Sequence, residues 1–214
     1  MKVFIVYAHP EPTSFNGALR DRAVDALTKA GHEVAVSDLY AEDFDPRAGR
    51  HDFETVADSV RFDYQAEQVV ASEQDAFSPV LEREQDRLLW CDLLILQYPM
   101  WWGGMPAILK GWVDRVLAYK KFYDLDRRYE NGVLKGRRVI MSITTGGTPE
   151  RFSDGGMFGE IGPILHPIDH CILRYMGLEI LDPFVAYAAG RVTPEDRAAL
   201  LDSWEARLAE IAAG

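Results

Sequence analysis

The sequence predicts one doubly wound α/β domain, residues 1–214, built on a five-stranded parallel sheet in the order 2-1-3-4-5 with helices on both faces. Three observations support this fold class. Short apolar runs rich in Val, Ile and Leu are typical of strands that are buried on both faces. Segments with helical spacing alternate with these runs, and Gly or Pro residues separate the two kinds of segment.

The first part of the chain supplies two strands and a helix. Residues 3–8 form a continuous apolar run, and residues 33–39 alternate as a second strand. Between them, residues 16–30 have helical spacing and stop before Gly31. Residues 41–78 are acidic and lack a strong period, so we predict an excursion over the surface.

The second part repeats the alternation of strands and helices. Pro79 is a favourable residue for opening a helix. The predicted helices are 80–90, 107–119, 164–176 and 193–212, and the predicted strands are 92–97, 138–144 and 178–185. A long Gly-rich loop is expected at 145–162, between the fourth strand and the next helix.

Composition excludes several classes of protein. The net charge of −11 and the absence of a basic stripe argue against a nucleic-acid partner. Cys91 and Cys171 lie beside apolar residues, and we interpret both as buried free thiols. The apolar start is too short for a signal peptide, and no run approaches the roughly 20 residues of a membrane span. We therefore expect a cytoplasmic protein without an integral membrane segment.

A sheet of this order places its ligand beyond the carboxyl ends of strands one, three and four. The first of the three loops there, residues 9–15, offers His9, Thr13 and Ser14 next to a helix that starts near Asn16. Free N–H groups at a helix start suit a phosphate, although simple capping by Ser14 or Asn16 explains the loop equally well. The loop has neither the Gly-x-Gly-x-x-Gly pattern nor the P-loop lysine.

The second loop, residues 98–106, places Trp101 and Trp102 directly before two glycines. Glycines allow a backbone to approach a flat ring closely, and a tryptophan can cover the face of that ring. The alternative is an ordinary turn with one Trp in the core and one on the surface.

The third loop starts at the end of the fourth strand, with Thr144 and Thr145 followed by Gly146 and Gly147. Two consecutive unhindered amides can face the negative charge that collects on a reduced flavin. A generic turn remains the alternative for this loop alone. The position of all three loops at one predicted sheet edge favours a site for a flat redox ring.

Five segments then show a family resemblance over nearly the whole chain: 13–16, 37–40, 106–112, 142–147 and 181–183. In this order they resemble the NAD(P)H:quinone oxidoreductase family of the DT-diaphorase type, which has a flavodoxin-like fold. The resemblance implies a homodimer that binds FAD in preference to FMN. It also implies ping-pong transfer of two electrons from NAD(P)H to a quinone-like acceptor.

The resemblance assigns roles to individual residues. The diphosphate and ribityl part would be held by His9, Thr13, Phe15, Asn16 and Ala18. The isoalloxazine would be lined by Pro99, Met100, Trp101, Trp102 and Gly103, and its pyrimidine edge bound by Thr144, Thr145, Gly146 and Gly147. Gly146, Gly147 and Trp102 would be the catalytic residues, closest to the reacting ring of the flavin. Asp114 and Arg197 would support the adenosine side of the FAD.

The same resemblance implies contributions across a dimer. Residues 41–78 are similar to the family segment that crosses to the partner subunit, where Tyr64 would lie near the FAD of that subunit. Tyr123 matches an aromatic residue that closes the substrate pocket of the other subunit.

The sequence departs from the family pattern in the pocket. Phe152 and Phe158 stand where the family has a Tyr and a His, and neither can donate a hydrogen bond. We therefore expect the amides of Gly146 and Gly147 to carry more of the charge, with a changed rate or acceptor preference. Leu125 replaces a pocket Tyr and Trp101 a smaller polar residue, so the pocket should be more open and more aromatic.

No metal site is predicted. Relatives with a metal site carry two His residues one helical turn apart, whereas His170 is followed at that spacing by Arg174. His166 and His32 show no partner pattern in the sequence. Two other functions stay open beside the quinone reductase: a flavodoxin-like electron carrier and a regulatory flavoprotein on a membrane transporter. No Ser-His-Asp or Cys-His arrangement competes with them.

Overall fold

The computed structural model describes residues 1–214 and confirms the predicted sheet. Its strands are β1 (Lys2–Tyr7), β2 (Glu33–Asp38), β3 (Leu93–Pro99), β4 (Arg138–Thr144), β5 (Glu179–Ile180) and β6 (Phe184–Ala186). Their order is β2-β1-β3-β4-β5, every pair is parallel, and β6 also pairs with β4. The carboxyl ends of β1, β3 and β4 are therefore neighbours at one edge.

Helices cover both faces of the sheet. They are α1 (Phe15–Lys29), α2 (Tyr64–Gln74), α3 (Pro79–Trp90), α4 (Ala107–Val116), α5 (Ile161–Ile168) and α6 (Pro194–Ala213). One core of 14 buried residues lies under α1 and α6, and a larger core of 31 lies under α3, α4 and α5. None of these helices combines the length and the hydrophobicity that crossing a bilayer requires.

The prediction of one continuous fifth strand at 178–185 is wrong. The structure divides this segment into β5, which pairs with the start of β4, and β6, which pairs with its end. Pro183 lies between the two pieces, and a proline has no N–H to offer a neighbouring strand. As a result β6 and the residues after it lie beside the carboxyl end of β4.

The segment 41–78 is more than an excursion over the surface. It contains a short 3₁₀ helix (Arg50–Asp52) and α2, which the sequence analysis did not predict. The Asp52 side chain is fully buried, and Arg115 donates to its Oδ1 from Nε and Nη2 at 2.8 and 2.6 Å. The Tyr64 hydroxyl donates to Asp52 Oδ2 at 2.6 Å, so buried polar contacts hold the segment against α4.

The helix predicted at 164–176 also differs from the structure. Helix α5 starts at Ile161 and ends at Ile168, and a π-helical turn (Asp169–Leu173) follows. Pro167 lies in the last turn of α5, where its missing N–H leaves one helical hydrogen bond unmade. The Gly-rich loop is correspondingly shorter and contains a 3₁₀ turn (Pro149–Phe152).

The two cysteines lie in different environments. Cys91 is buried at the end of α3, as predicted, whereas Cys171 lies on the π-helical turn and is exposed. The prediction that both thiols are buried is therefore wrong for Cys171. The apolar neighbours of Cys171 in sequence point to the core while the cysteine itself faces outward.

Candidate active site

A cleft of about 500 Å³ opens at the carboxyl edge of the sheet, between the loops that follow β3 and β4. Several predicted residues line it: Met100, Trp102, Gly103, Thr145, Gly146, Gly147, Phe152 and Phe158. Arg151, Ile164 and Arg191 also line it, and sequence reasoning missed all three. The second and third predicted loops thus meet in a single cleft.

The loop after β4 presents two free amides. The N–H groups of Gly146 and Gly147 have no acceptor within the protein, whereas Gly147 O accepts from Thr145 Oγ1 and from the N–H of Ala188, both at 2.8 Å. Thr145 N–H donates to Ala186 O at 3.0 Å. Strand β6 and the segment after it therefore hold Thr145 and the Gly147 carbonyl, and they leave the N–H groups of Gly146 and Gly147 without a protein acceptor.

The two glycines of this loop differ in the space around them. A Cβ on Gly146 would meet nothing within 4 Å, so the residue is open to the cleft. A Cβ on Gly147 would lie 2.8 Å from the ring of Phe152 and 3.0 Å from that of Phe158. The two rings, 5.0 Å apart between centroids, therefore pack directly on the Gly147 backbone.

The loop after β3 is a tight hairpin turn. Trp101 and Gly104 exchange two backbone hydrogen bonds of 3.1 and 3.0 Å, and the residues between them, Trp102 and Gly103, both have positive φ. This is the pattern of a type I′ turn, which an L residue such as Trp102 adopts at some cost. The Trp102 side chain is fully exposed (106%) and that of Trp101 is 41% exposed. The alternative interpretation, a turn with one Trp in the core, is wrong because neither Trp is buried. The exposed ring of Trp102 is available to cover the face of a bound ring.

The loop after β1 combines a capped helix with unused donors. Ser14 Oγ accepts from Gly17 N–H at 3.1 Å, so Ser14 caps α1 as the simpler interpretation proposed. The N–H groups of Phe15 and Asn16 in the first turn have no partner, and they remain free for a phosphate. Capping and phosphate binding are therefore compatible in this loop.

The Glu11 carboxylate accepts hydrogen bonds from other donors of the same loop. Thr13 donates to Glu11 Oε1 from its N–H at 2.9 Å and from its hydroxyl at 2.6 Å. These bonds, the hydroxyl first, hold the pKa of the Glu11 carboxyl below its usual value. His9 Nδ1 accepts from Glu11 N–H at 3.0 Å, so one His9 nitrogen, Nε2, stays unengaged.

Asn16 connects the first loop to the ends of two strands. Its side chain is only 3% exposed, its Nδ2 donates to Thr144 Oγ1 at 2.6 Å, and Gln97 Nε2 donates to its Oδ1 at 2.8 Å. The side chain of Asn16 is thus committed to the protein, and only its backbone N–H can serve a cofactor. Gln97 was missed, although a Gln within an otherwise apolar strand was a visible sign of a buried polar contact.

The two residues predicted to support the adenosine side of FAD, Arg197 and Asp114, have different surroundings. Arg197 lies beside the first loop, with its guanidinium 4.9 Å from the ring centre of Phe15 and no carboxylate within ion-pair distance. Asp114 lies in the last turn of α4, where Lys110 Nζ is 2.5 Å from its Oδ1. The structure brings Arg197 to the first loop but gives Asp114 a partner on its own helix only. Ala18 packs inside against the smaller core.

The residues predicted to act across a dimer are not at the cleft of their own chain. Tyr123 packs edge-on against Tyr119 and Tyr175, with ring centres 5.4 and 5.6 Å apart. Two residues further on, the side chain of Leu125 is largely exposed. Tyr64 is tied to Asp52, and burial raises the pKa of its hydroxyl.

Two histidines that lacked a partner pattern in the sequence do have partners in the structure. The rings of His166 and His170 stack with centres 5.2 Å apart at 7°, and His32 Nδ1 lies 3.1 Å from the N-terminal amine. No group of three or more His, Cys, Asp and Glu side chains has a geometry suited to a metal ion.

The arrangement fits a flat ring with an anionic tail. Gly146 and Gly147, with their free N–H groups, line the cleft together with Trp102, and the free N–H groups at the start of α1 lie at the neighbouring strand end. Phe152 and Phe158 give the far side an aromatic surface without hydrogen-bond donors. The donors for a ring edge thus line the cleft itself, whereas the first loop and the start of α1 lie beside it and are not part of its lining.

Comparisons with known proteins identify the family and the fold of the chain. Residues 1–210 match a family model described as having a flavodoxin-like fold. The chain is 41% identical to NAD(P)H dehydrogenase (quinone) 1 of Rattus norvegicus over 97% of this chain and 76% of that protein. It is 39% identical to the human ribosyldihydronicotinamide dehydrogenase (quinone) over 98% of this chain and 91% of the relative.

A solved structure gives the same result. A crystal structure of a Klebsiella pneumoniae protein assigned as a quinone reductase superposes with a TM-score of 0.93 at 39% identity. The match covers 99% of this chain and 85% of the other. The chain is thus similar to these proteins over nearly its entire length.

Proposed function

The chain belongs to the NAD(P)H:quinone oxidoreductase family, and from this premise we propose that it binds FAD and reduces quinone-like aromatic acceptors with NAD(P)H by two electrons at a time. It is an oxidoreductase of the NAD(P)H dehydrogenase (quinone) type. One observation carries the cofactor part of the proposal: Gly146 and Gly147, whose amides have no acceptor in the protein, line one cleft together with the exposed Trp102.

The residues present fit a flavin. The N–H groups of Gly146 and Gly147 would bind the pyrimidine edge, and the first turn of α1 would bind a phosphate. Arg197, beside Phe15, would pair with the second phosphate of a dinucleotide, which favours FAD over FMN. When bound, a flavin supplies an acceptor for the hydride of NAD(P)H and passes the two electrons on.

The protein itself positions the reactants and stabilises charge. Met100, Trp102 and Phe158 offer apolar surface on which a nicotinamide or a quinone ring can lie. The cleft has a volume of about 500 Å³. We propose that donor and acceptor rings occupy it in turn over the bound flavin, which is the ping-pong order.

The aromatic pair Phe152 and Phe158 limits where negative charge can be held. Neither ring donates a hydrogen bond, so these two positions would not stabilise charge on the flavin edge, and the amides of Gly146 and Gly147 would be its backbone donors. We expect the rate or the acceptor preference to differ from that of relatives with a Tyr and a His at these positions.

Homodimerisation and a cytoplasmic location belong to the same proposal. Leu125 and Val60 are large exposed apolar residues, and Leu125 follows Tyr123 closely in sequence. A partner subunit that covers Leu125 would also lie close to Tyr123, the residue that the family resemblance assigns to the pocket of the other subunit. Analytical ultracentrifugation tests this part, with Leu125→Asp expected to shift the protein towards monomer.

The decisive test is cofactor binding followed by turnover. We expect purified protein to show a flavin absorbance spectrum, to take up FAD more tightly than FMN, and to oxidise NADH or NADPH in the presence of menadione. Colourless protein that takes up neither flavin would refute the proposal. Bound flavin without steady-state NAD(P)H oxidation would instead indicate an electron carrier or a regulatory subunit.

A matched pair of variants tests the amide pair itself. Gly146→Ala keeps the backbone N–H, and its Cβ has no protein atom within 4 Å, whereas Gly146→Pro removes the N–H. We expect the proline variant to bind FAD at least about tenfold more weakly than the alanine variant, the cost of one charge-assisted hydrogen bond. Equal affinities, with both variants folded, would show that this amide does not contact the flavin.

A further inference from the structure

Two arginines line the cleft without a counterion. Arg151 lies on the 3₁₀ turn after the Gly146-Gly147 pair, and Arg191 lies in the segment after β6. Both side chains are exposed, and no carboxylate lies within 4.0 Å of either guanidinium. The chain carries 34 acidic and 23 basic residues, so two cations without a carboxylate partner in one cleft form a local positive site on an acidic protein.

Backbone hydrogen bonds fix the two chain segments that carry these arginines at the rim of the cleft. Arg151 O accepts from Phe158 N–H at 2.8 Å, which closes the loop around the Phe152–Phe158 pair. Arg191 N–H donates to Ala188 O at 2.7 Å, and Ala188 N–H donates to Gly147 O at 2.8 Å. The two guanidinium groups therefore approach the cleft from two chain segments that are tied to Gly147.

Resting on the function proposed above, we propose that Arg151 and Arg191 select acceptors that carry an anionic group, a carboxylate or a sulfonate, directly on the aromatic ring system. The rings of Phe152 and Phe158 supply the surface for the aromatic part. A guanidinium presents a planar fork of donors that matches a carboxylate or sulfonate. The acidic surface elsewhere makes this rim a local point of attraction for anions.

A second source of anionic charge is the 2′-phosphate of NADPH. That phosphate and the nicotinamide ring lie at opposite ends of the molecule, whereas Arg151 and Arg191 share one cleft of about 500 Å³ with the aromatic pair. Because the arginines and the aromatic pair share one cleft, an anion attached to the reacting ring system fits the site better than a phosphate at the far end of NADPH. The experiment separates the two sources.

The test compares 1,2-naphthoquinone-4-sulfonate with 1,2-naphthoquinone as acceptors for the FAD-loaded enzyme. The acceptor ratio is the kcat/KM for the sulfonate divided by the kcat/KM for the neutral quinone. We expect this ratio to fall about fivefold to tenfold in each of the variants Arg151→Gln and Arg191→Gln. The fall is smaller than for a buried charged hydrogen bond because both arginines are exposed. The wild-type ratio should also fall as salt rises, because salt screens exposed charges. Arg207→Gln, on α6 with its side chain paired to Glu210, is the control and should leave the ratio unchanged.

Binding without turnover gives an independent readout. Isothermal titration calorimetry with naphthalene-2-sulfonate and 2-naphthalenemethanol measures affinity for an unreactive anion and a neutral analogue. We expect the sulfonate to bind more tightly to the wild type and to lose this advantage in both variants. Because this binding needs no electron transfer, it tests the arginines even if NAD(P)H oxidation is absent.

The outcomes are distinct. Absence of NAD(P)H oxidation with every acceptor refutes the proposed function, while the calorimetry still decides on the arginines. An unchanged acceptor ratio in both variants, or equal binding of the two naphthalenes to the wild type, overturns the inference. A loss of preference for NADPH over NADH, with an unchanged acceptor ratio, also overturns it and assigns the charge to the donor phosphate.

Discussion

The side-chain amide of Asn16 donates a hydrogen bond of 2.6 Å to the hydroxyl of Thr144, which lies 128 positions further along the chain. Gln97 donates to the same Asn16 side chain at 2.8 Å. All three side chains are almost fully buried. This contact joins the first loop to the ends of β3 and β4, so it fixes the relative position of the three loops that form the candidate site.

Asn16→Ala should therefore destabilise the protein and weaken cofactor binding together. The substitution leaves the Gln97 amide and the Thr144 hydroxyl buried without their partner, at a cost of about 2 to 4 kcal/mol in the free energy of unfolding. Urea denaturation of the cofactor-free protein measures it. Asn131→Ala, at an exposed position, is the control. A difference of less than about 0.5 kcal/mol between the two variants would contradict the role of this contact.

The sheet could be predicted because its strands are apolar throughout and its order follows from alternation with helices. Helix α2 could not, because burial there depends on polar groups. Glu67 is buried and accepts from the N–H groups of Ala57 and Asp58, at 2.7 and 3.1 Å, and Gln68 Oε1 accepts from Tyr119 N–H at 3.1 Å. A hydrophobic period cannot reveal such a helix, since its inward face is not hydrophobic.

Only part of the candidate site could be predicted from the sequence. Gly146, Gly147 and Trp102 follow strands that end at one edge, and topology alone brings them together. Arg191 reaches the cleft only because Pro183 divides the last strand and the residues after β6 turn back towards Gly147. That turn includes Ala188 at positive φ, a conformation that its sequence does not indicate.

Gly147→Ala should disturb the aromatic pair. The new Cβ would meet the rings of Phe152 and Phe158 at 2.8 and 3.0 Å, so at least one ring must move. We expect the KM for the acceptor to change by more than about threefold and the free energy of unfolding to fall by about 1 to 3 kcal/mol, the usual range for overpacking.

Gly146→Ala is the matched control for this stability measurement. Its Cβ would meet no protein atom within 4 Å, so its free energy of unfolding should stay within about 0.5 kcal/mol of the wild type. The double variant Gly147→Ala, Phe152→Leu should recover part of the lost stability. Equal stability of the two alanine variants would contradict the contact of the rings with Gly147.

Arg197→Gln should weaken FAD binding more than FMN binding. Arg197 stacks on Phe15 beside the first loop, and in the function proposed above it pairs with the second phosphate of FAD, which FMN lacks. We expect FAD affinity to fall about tenfold and FMN affinity about threefold or less. Fluorescence titration of both flavins measures this. Arg22→Gln, paired with Asp202 and Glu205, is the control, and equal losses for both flavins would contradict the assignment.

The two cysteines should react at very different rates with a thiol reagent. Burial raises the pKa of the Cys91 thiol to about 12, so little thiolate forms at neutral pH, and its sulfur is shielded. Cys171 is exposed. Titration with Ellman's reagent should show one thiol in the folded protein and two after unfolding. Cys171→Ser should abolish the fast phase and Cys91→Ser should preserve it; two fast thiols in the wild type would refute the buried position of Cys91.

Glu11 should titrate below an ordinary glutamate because Thr13 donates to its carboxylate from the hydroxyl and from the N–H. Its pKa is lowered in the folded state, so the contact stabilises the protein above the unfolded value of about 4.3 and is lost as the pH falls through the folded value. Thr13→Val removes the hydroxyl donor and should raise the pKa of Glu11 towards normal, as carbon-detected NMR can measure.

The same titration links Glu11 to the cofactor. The pKa of Glu150 is lowered in a similar way by the Thr148 hydroxyl, and it should stay unchanged in the Thr13→Val protein, which makes it an internal control. A phosphate that binds at the start of α1 places negative charge near Glu11 and competes for the Thr13 donors. Addition of FAD should therefore raise the pKa of Glu11 and leave that of Glu150 in place. A Glu11 pKa that does not respond to FAD would place the diphosphate away from this loop.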